Sequence, residues 1–170
     1  MNFAAFERAQ AAAFAYREGR HTGSLACLRA ILFILRNRVK KGWGEGSWLT
    51  VMEAAGEAAA HGDAASGLGN QASAEAQSPK PEALSSDRLL QMIVRDVDDI
   101  YLGQEPWDDP VRQVVCGEGA QSSFKKDWHP ILYYSLVDRT ARPWFVENII
   151  RKAQEHPQVG QVGGKMMLYR

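Results

Sequence analysis

The sequence has no surplus charge of either sign, because 20 Lys and Arg residues balance 20 Asp and Glu residues. A protein that binds nucleic acid through phosphate contacts usually carries a positive surplus or a basic stripe on its surface. The sequence contains neither feature. We therefore expect no nucleic-acid partner.

Cysteine and long apolar runs are also scarce. Cys27 and Cys116 lie far apart and form no CxxC or Cys/His pattern, so we predict two free thiols, no metal site and no cofactor. No apolar stretch approaches the roughly 20 residues of a membrane span, so no membrane-spanning segment is expected. Glu7 and Arg8 interrupt the apolar run near the N-terminus, which lacks a basic start, so no secretory signal is predicted. The expected location, as encoded, is the cytoplasm.

The length and the apolar content suit one compact domain. The chain has 170 residues, of which 45% are hydrophobic, and this is enough for a substantial core. The segment from His61 to Ser86 differs because it is poor in large apolar side chains and rich in Ala, Gly, Ser, Gln and Pro. We predict a single domain over residues 1–170 with a flexible insertion at about 61–86.

Most of the remaining sequence shows helical periodicity. The spacing predicts a first helix from Phe3 to Arg17, a central buried helix after Thr22 or Ser24, a third opened by Ser47, and a fourth ended by Gly103. The apolar residues that define these four helices are Phe3, Phe6, Ala9, Ala13 and Phe14; Leu25, Leu28, Leu32, Leu35 and Val39; Trp48, Val51, Met52 and Ala55; and Leu90, Ile93, Val94, Val97, Ile100 and Tyr101.

The C-terminal part has strand character. Residues Ile131 to Val137 are β-prone, Pro143 suits the first position of a helix, and the terminal "QVGGKMMLY" is a plausible partner strand. The predicted fold class is therefore mainly α (α+β), with helices first and a small β-sheet near the C-terminus.

Six short motifs carry a family resemblance. In chain order they are "YREGR", "RAILFILRNRV", "VDDIYLGQEPWDDP", "ILYY", "RPWFVENI" and "VGGKMMLY". Together they resemble the bacterial cell-wall hydrolase family that includes the spore-cortex-lytic enzymes, in which a "YxEARGE"-like segment supplies the catalytic glutamate. The resemblance implies a lysozyme-like, mainly helical fold that cleaves the glycan strands of peptidoglycan, typically as a lytic transglycosylase. Without a signal, action on the wall implies a delivery or lysis partner.

Glu18 is the residue on which that activity depends. Breaking a glycosidic bond needs a carboxylic acid that is still protonated when it meets the leaving oxygen, and apolar surroundings favour the protonated form. Phe14, Tyr16 and the apolar second helix can supply such surroundings. The alternative interpretation is that Glu18 is a solvated charge at a helix end with no catalytic role.

Further residues are candidates for substrate binding. Tyr133 and Tyr134 alternate on a strand, so one of them can line a groove and stack on a sugar ring. Asp109 and Trp107 are the other candidates for substrate binding, although Asp109 before a proline also suits a simple turn.

Asn37 and Arg38 are candidates for structural support, since a buried polar pair there can hold the helix that carries Glu18 in place. A helix-terminal arginine is also commonly matched to the helix dipole.

The sequence departs from the family pattern at several positions. Pro130 and Ile131 stand where the family has Gly-Ala before its tyrosines, and Lys165 and Met166 stand near the place of its terminal histidine. A second hypothesis therefore remains open: a catalytically inactive relative that serves as a glycan-binding or protein-interaction module.

Overall fold

A computed structural model describes residues 3–57, 86–104 and 131–170. The helical part comprises α1 (Phe3–Gly19), α2 (Leu25–Lys40), α3 (Trp48–Glu57) and α4 (Ser86–Leu102), with 3₁₀ turns at Arg20–Thr22 and Trp43–Gly46. The predicted insertion lies outside the described residues except for Ser86, which begins α4. Within the described residues, no helix is long and apolar enough to cross a membrane.

A small antiparallel sheet follows the helices. Its strands are β1 (Tyr133–Leu136), β2 (Gln158–Val162) and β3 (Met166–Tyr169), in the spatial order β1-β3-β2. Between β1 and β2, Pro143 begins the short helix α5 (Pro143–Phe145), which continues as a π-helical turn to Ile150. The predicted class, mainly helical with a small sheet near the C-terminus, is confirmed. The predicted terminal strand, Gln161 to Tyr169, contains the end of β2, a turn and β3. The sequence did not reveal β2 as a separate strand, and its pairing with β3 shifts register between Gln158 and Gly160.

The central helix is α2. Leu28, Ile31 and Leu32 are completely buried, while Leu25 and Val39 at the two ends of the apolar seam are partly buried. Helices α1, α3 and α4 all pack against it, so α2 has no wholly polar face over these turns. Its predicted role as the buried centre of the helical layer is confirmed.

The buried face of α1 differs from the expected one. Phe3 and Phe6 are 64% and 45% exposed, whereas Ala11, Ala12 and Ala15 are buried. Small side chains allow the helix backbone to approach its neighbours closely, and aromatic rings at those positions would hold it away. The alanine-rich face of α1 therefore forms the contact, and the phenylalanines near its start do not.

A similar correction applies to α4. Leu90 and Val94 are 38% and 52% exposed, while Leu89, Ile93 and Val97 are buried. The apolar stripe of α4 is broader than the face that packs against α1 and α2. The periodicity predicted the helix, but it did not show which side of the apolar stripe is buried against the neighbouring helices.

Two acidic side chains, Glu7 and Asp96, are buried among the helices, and Glu7 has the larger set of hydrogen bonds. Its Oε1 atom accepts hydrogen bonds from the backbone N–H groups of Trp48 (2.8 Å) and Leu49 (3.3 Å) and from the Ser47 hydroxyl (3.0 Å), and its Oε2 accepts one from the Tyr101 hydroxyl. Burial by itself raises the pKa of Glu7, but these hydrogen bonds outweigh it and hold the pKa below its ordinary value. Glu7 therefore joins α1 to α3 and α4 as a carboxylate.

Candidate functional site

The end of α1, the end of α2, helix α3 and the first strand surround one cavity of about 180 Å³. Ligand pockets commonly enclose roughly 300–1,000 Å³, so this cavity suits one ring-sized part of a ligand. The side chains and backbone that line it belong to Glu18, Arg38, Trp43, Gly44, Val51, Ala54, Ala55, Tyr133, Tyr134, Trp144 and Phe145.

Glu18 reaches the cavity from the last turn of α1, and only 14% of its side chain is exposed. The following residue, Gly19, explains this position. A Cβ atom at Gly19 would lie 2.9 Å from Cδ1 of Leu28, so the lack of a side chain lets the end of α1 sit directly against α2. Arg17 Nε lies 3.9 Å from Glu18 Oε1, but the Arg17 side chain is 68% exposed and its attraction is weak.

Tyr133 and Tyr134 reach the same cavity from β1. Tyr134 is buried, and burial raises the pKa of its phenol well above the ordinary value, with the negative charge of Glu18 adding to the rise. The positive charges of Arg38, Arg139 and Arg17 act in the opposite direction. Tyr134 is therefore a neutral phenol whose pKa depends partly on the charge of Glu18.

Asn37 and Arg38 determine where β1 begins. Asn37 Nδ2 donates to the carbonyl oxygen of Ile131 at 3.1 Å, and Arg38 Nε donates to that of Leu132 at 2.8 Å. These two carbonyls immediately precede Tyr133. The pair was expected to hold the helix of Glu18, but it instead joins α2 to the chain that carries the two tyrosines into the cavity.

Aromatic rings form one wall of the cavity. The centroids of Trp43 and Tyr133 lie 5.8 Å apart at an angle of 58°, and the Arg38 guanidinium carbon lies 5.5 Å and 5.9 Å from these two ring centroids. Trp144 also lines the cavity and is 52% exposed. An exposed ring beside a cavity is available to stack on a flat ligand face.

Sequence reasoning did not single out Trp43. It lies between Gly42 and Gly44, which both have positive φ angles of 88° and 60°. A large aromatic residue between two glycines after a helix is a signal for a ring presented on a tight turn, and it was available in the sequence.

The structure brings together Glu18, Tyr133, Tyr134 and Arg38 from the predicted set, with Asn37 directly behind them. Asp109 and Trp107 lie outside the described residues. Across residues 3–57, 86–104 and 131–170, no group of three His, Cys, Asp or Glu side chains is arranged to hold a metal ion.

The cavity combines one carboxyl group, two phenols, a guanidinium and two indole rings. Such a set can hold a sugar ring against aromatic faces and place a proton donor beside it. No family model, curated protein or solved structure matches this chain.

Proposed function

We propose that the protein cleaves the glycan strands of peptidoglycan in the manner of a lytic transglycosylase or muramidase, with Glu18 as the general acid. One observation carries the proposal. Four of the six motifs that resemble the cell-wall hydrolase family contribute side chains to a single cavity, through Glu18, Arg38, the Tyr133–Tyr134 pair and Trp144. A lysozyme-like arrangement of the helices around this cavity is part of the proposal.

The reaction requires one proton donor at the scissile bond. Glu18, in its protonated form, donates its proton to the glycosidic oxygen as the bond between that oxygen and the anomeric carbon breaks. A hydroxyl group of the same sugar, or a water molecule, then attacks the anomeric carbon and returns a proton to the Glu18 carboxylate. The first route produces an internal anhydro ring, and the second produces a reducing end.

The surroundings of Glu18 support this role. Its side chain is mostly shielded from water, and the cavity beside it is lined largely by aromatic and small apolar residues. Restricted access of water keeps solvent from competing with the substrate at the carboxyl group. Among the described residues that line the cavity, Glu18 is the single carboxyl group, which suits the route that uses the sugar's own hydroxyl.

Trp43, Tyr133 and Trp144 provide the surfaces for substrate binding. Their rings line the cavity, and sugar rings stack on such faces through their C–H groups. The same surfaces would serve a module that binds glycan without cleaving it. This second candidate function differs from the first only in whether Glu18 transfers a proton.

Analysis of products tests the proposal. Purified peptidoglycan is incubated with the protein, and the soluble fragments are analysed by mass spectrometry. We expect fragments that end in anhydro sugars, whereas a muramidase route gives reducing ends. Binding to the insoluble glycan without release of fragments would contradict the enzymatic function and support the binding module.

A further inference from the structure

The Arg38 guanidinium uses only part of its hydrogen-bonding capacity within the described part of the protein. Its Nε–H donates to the Leu132 carbonyl oxygen, which leaves the two terminal nitrogens of the guanidinium for other partners. The rings of Trp43 and Tyr133 lie within 6 Å of the guanidinium carbon, at 5.5 Å and 5.9 Å. The protein therefore holds the side chain in place, and Arg38 lines the cavity.

The charge of Arg38 has no carboxylate partner within the described part of the chain. The ion pairs found there join Arg8 to Asp98, Arg17 to Glu18, Arg29 to Asp96 and Arg151 to Glu147. Glu18 lines the same cavity but does not pair with Arg38. Burial lowers the pKa of the Arg38 guanidinium, because the protein replaces water around the charge without supplying an anion.

The wider charge distribution around the cavity is also positive. Four charged side chains act electrostatically on the Tyr134 phenol. Three are the arginines Arg38, Arg139 and Arg17, and the fourth is Glu18. When Glu18 is protonated, as proton donation requires, it contributes no negative charge. Among the described residues that line the cavity, Arg38 is then the one charged side chain, and its positive charge favours a ligand with an anionic group.

From this arrangement we infer that the terminal nitrogens of Arg38 bind a carboxylate of the substrate, so that the cavity selects a glycan strand that carries a carboxylate over a neutral one. A guanidinium forms paired, charge-assisted hydrogen bonds with a carboxylate, and the nearby rings of Trp43 and Tyr133 restrict its movement. The identity of the ligand as a glycan rests on the proposed function. Arg38 is a specificity-determining residue and takes no part in proton transfer.

Peptidoglycan offers this carboxylate in two places. The lactyl ether of N-acetylmuramic acid ends in a free carboxylate once the stem peptide has been removed, and the stem peptide itself carries carboxylates. If the lactyl group is the ligand, the cavity acts after a reaction that hydrolyses the amide bond between glycan and peptide. Peptide-free and peptide-bearing strands of equal length distinguish these two sources.

Binding in a non-cleaving variant tests the inference. Glu18→Gln is titrated by calorimetry with four oligosaccharides of equal length: a peptide-free strand containing N-acetylmuramic acid, its methyl ester, a peptide-bearing strand, and neutral chitooligosaccharide. We expect at least one acidic strand to bind roughly 10-fold or more tightly than the chitooligosaccharide, as a charge-assisted pair implies. If the peptide-free strand is the tight ligand, methyl esterification should remove its advantage.

Substitution of the arginine provides the second arm. Adding Arg38→Gln to Glu18→Gln should abolish the preference for acid, while Arg38→Lys should retain part of it because lysine keeps the charge without the planar fork. Arg151→Gln, which changes an arginine exposed on the surface, is the matched control and should leave the preference unchanged. If Arg38→Gln does not fold, the inference is still tested by comparing the affinities of the acidic, esterified and neutral strands for Glu18→Gln, in which Arg38 is intact.

Equal affinity for all four ligands, or an acid preference that survives in folded Arg38→Gln, overturns the inference. Because binding is measured without cleavage, its outcome is separate from that of the proposed reaction. An acid preference in a protein that never cleaves peptidoglycan would uphold the inference and remove the enzymatic function. Cleavage without any acid preference would do the reverse.

Discussion

Glu7 on α1 accepts a 2.8 Å hydrogen bond from the backbone N–H of Trp48, so a carboxylate on one helix caps the start of another. Removing it in Glu7→Ala leaves several buried donors without an acceptor. We predict that the free energy of unfolding falls by at least about 2 kcal/mol, measured by denaturant titration. Glu53→Ala, which removes an exposed carboxylate on α3, should change it by less than about 0.5 kcal/mol. Equal effects of the two substitutions would show that Glu7 is not a structural anchor.

The pH dependence of stability should report the same group. The folded-state pKa of Glu7 lies below its ordinary value of 4.5, so its stabilising contribution is present above that value and is lost as the pH falls through the folded-state pKa. We predict that wild type loses stability more steeply than Glu7→Gln between about pH 5 and pH 3. Thermal unfolding of the two proteins across this range is the measurement. Parallel curves would contradict the assignment.

The opposite sign applies to Tyr101. Burial, followed by the hydrogen bond to Glu7, raises its pKa to about 12 from the ordinary 10. Its contribution to stability is therefore present below pH 10 and is lost as the pH rises towards about 12. In this alkaline range Tyr101→Phe should lose less stability than wild type does. A spectroscopic titration of Tyr101→Phe should show one tyrosine fewer that ionises near pH 12 than wild type shows.

Leu32 lies at the centre of the core and is completely buried. We predict that Leu32→Ala lowers the free energy of unfolding by about 2–5 kcal/mol, since it removes buried methyl groups and leaves a cavity. Leu102→Ala makes the same chemical change at a position that is 58% exposed and should cost less than about 1 kcal/mol. A small effect at Leu32 would mean that α2 is not the packing centre.

Local patterns predicted the parts of the fold that depend on neighbours in sequence. The seam from Leu25 to Val39 is apolar over four turns, so the buried central helix followed directly from its periodicity. The tyrosine-bearing strand and its terminal partner were also predicted. The covered face of α1 was not, because it depends on how closely α1 approaches other helices, and small alanines give no strong hydrophobic signal.

Contacts between residues far apart in sequence explain the other features that the sequence did not predict. Glu7 looks like an isolated charge in the sequence, and its partners Trp48 and Tyr101 lie 41 and 94 residues away. No local spacing could connect them. Within the candidate site, the motif order selected Glu18, Tyr133 and Tyr134, whereas their meeting in one cavity depends on the anchoring of the chain before β1 by α2.

That anchoring leads to a prediction for Asn37. Replacing it by alanine removes the donor to the Ile131 carbonyl oxygen, which is buried, and should cost about 1–3 kcal/mol in stability. Because the same carbonyl precedes the tyrosines, the affinity for glycan should also fall while the Glu18 side chain is untouched. Gln154→Ala, which removes an exposed amide outside the cavity, is the control. Unchanged glycan affinity in folded Asn37→Ala would show that the hydrogen bond from Asn37 to Ile131 does not affect ligand binding in the cavity.

The role of Glu18 is tested most directly by the rate of peptidoglycan cleavage for wild type, Glu18→Gln and the exposed-site control Glu53→Gln. Glutamine keeps the size of the side chain but has no acidic proton to donate. We predict that Glu18→Gln retains its melting temperature and its affinity for glycan while the cleavage rate falls by roughly 10² or more, and that Glu53→Gln cleaves at the rate of wild type. Cleavage by Glu18→Gln at the wild-type rate, or binding without cleavage by wild type, would contradict the account.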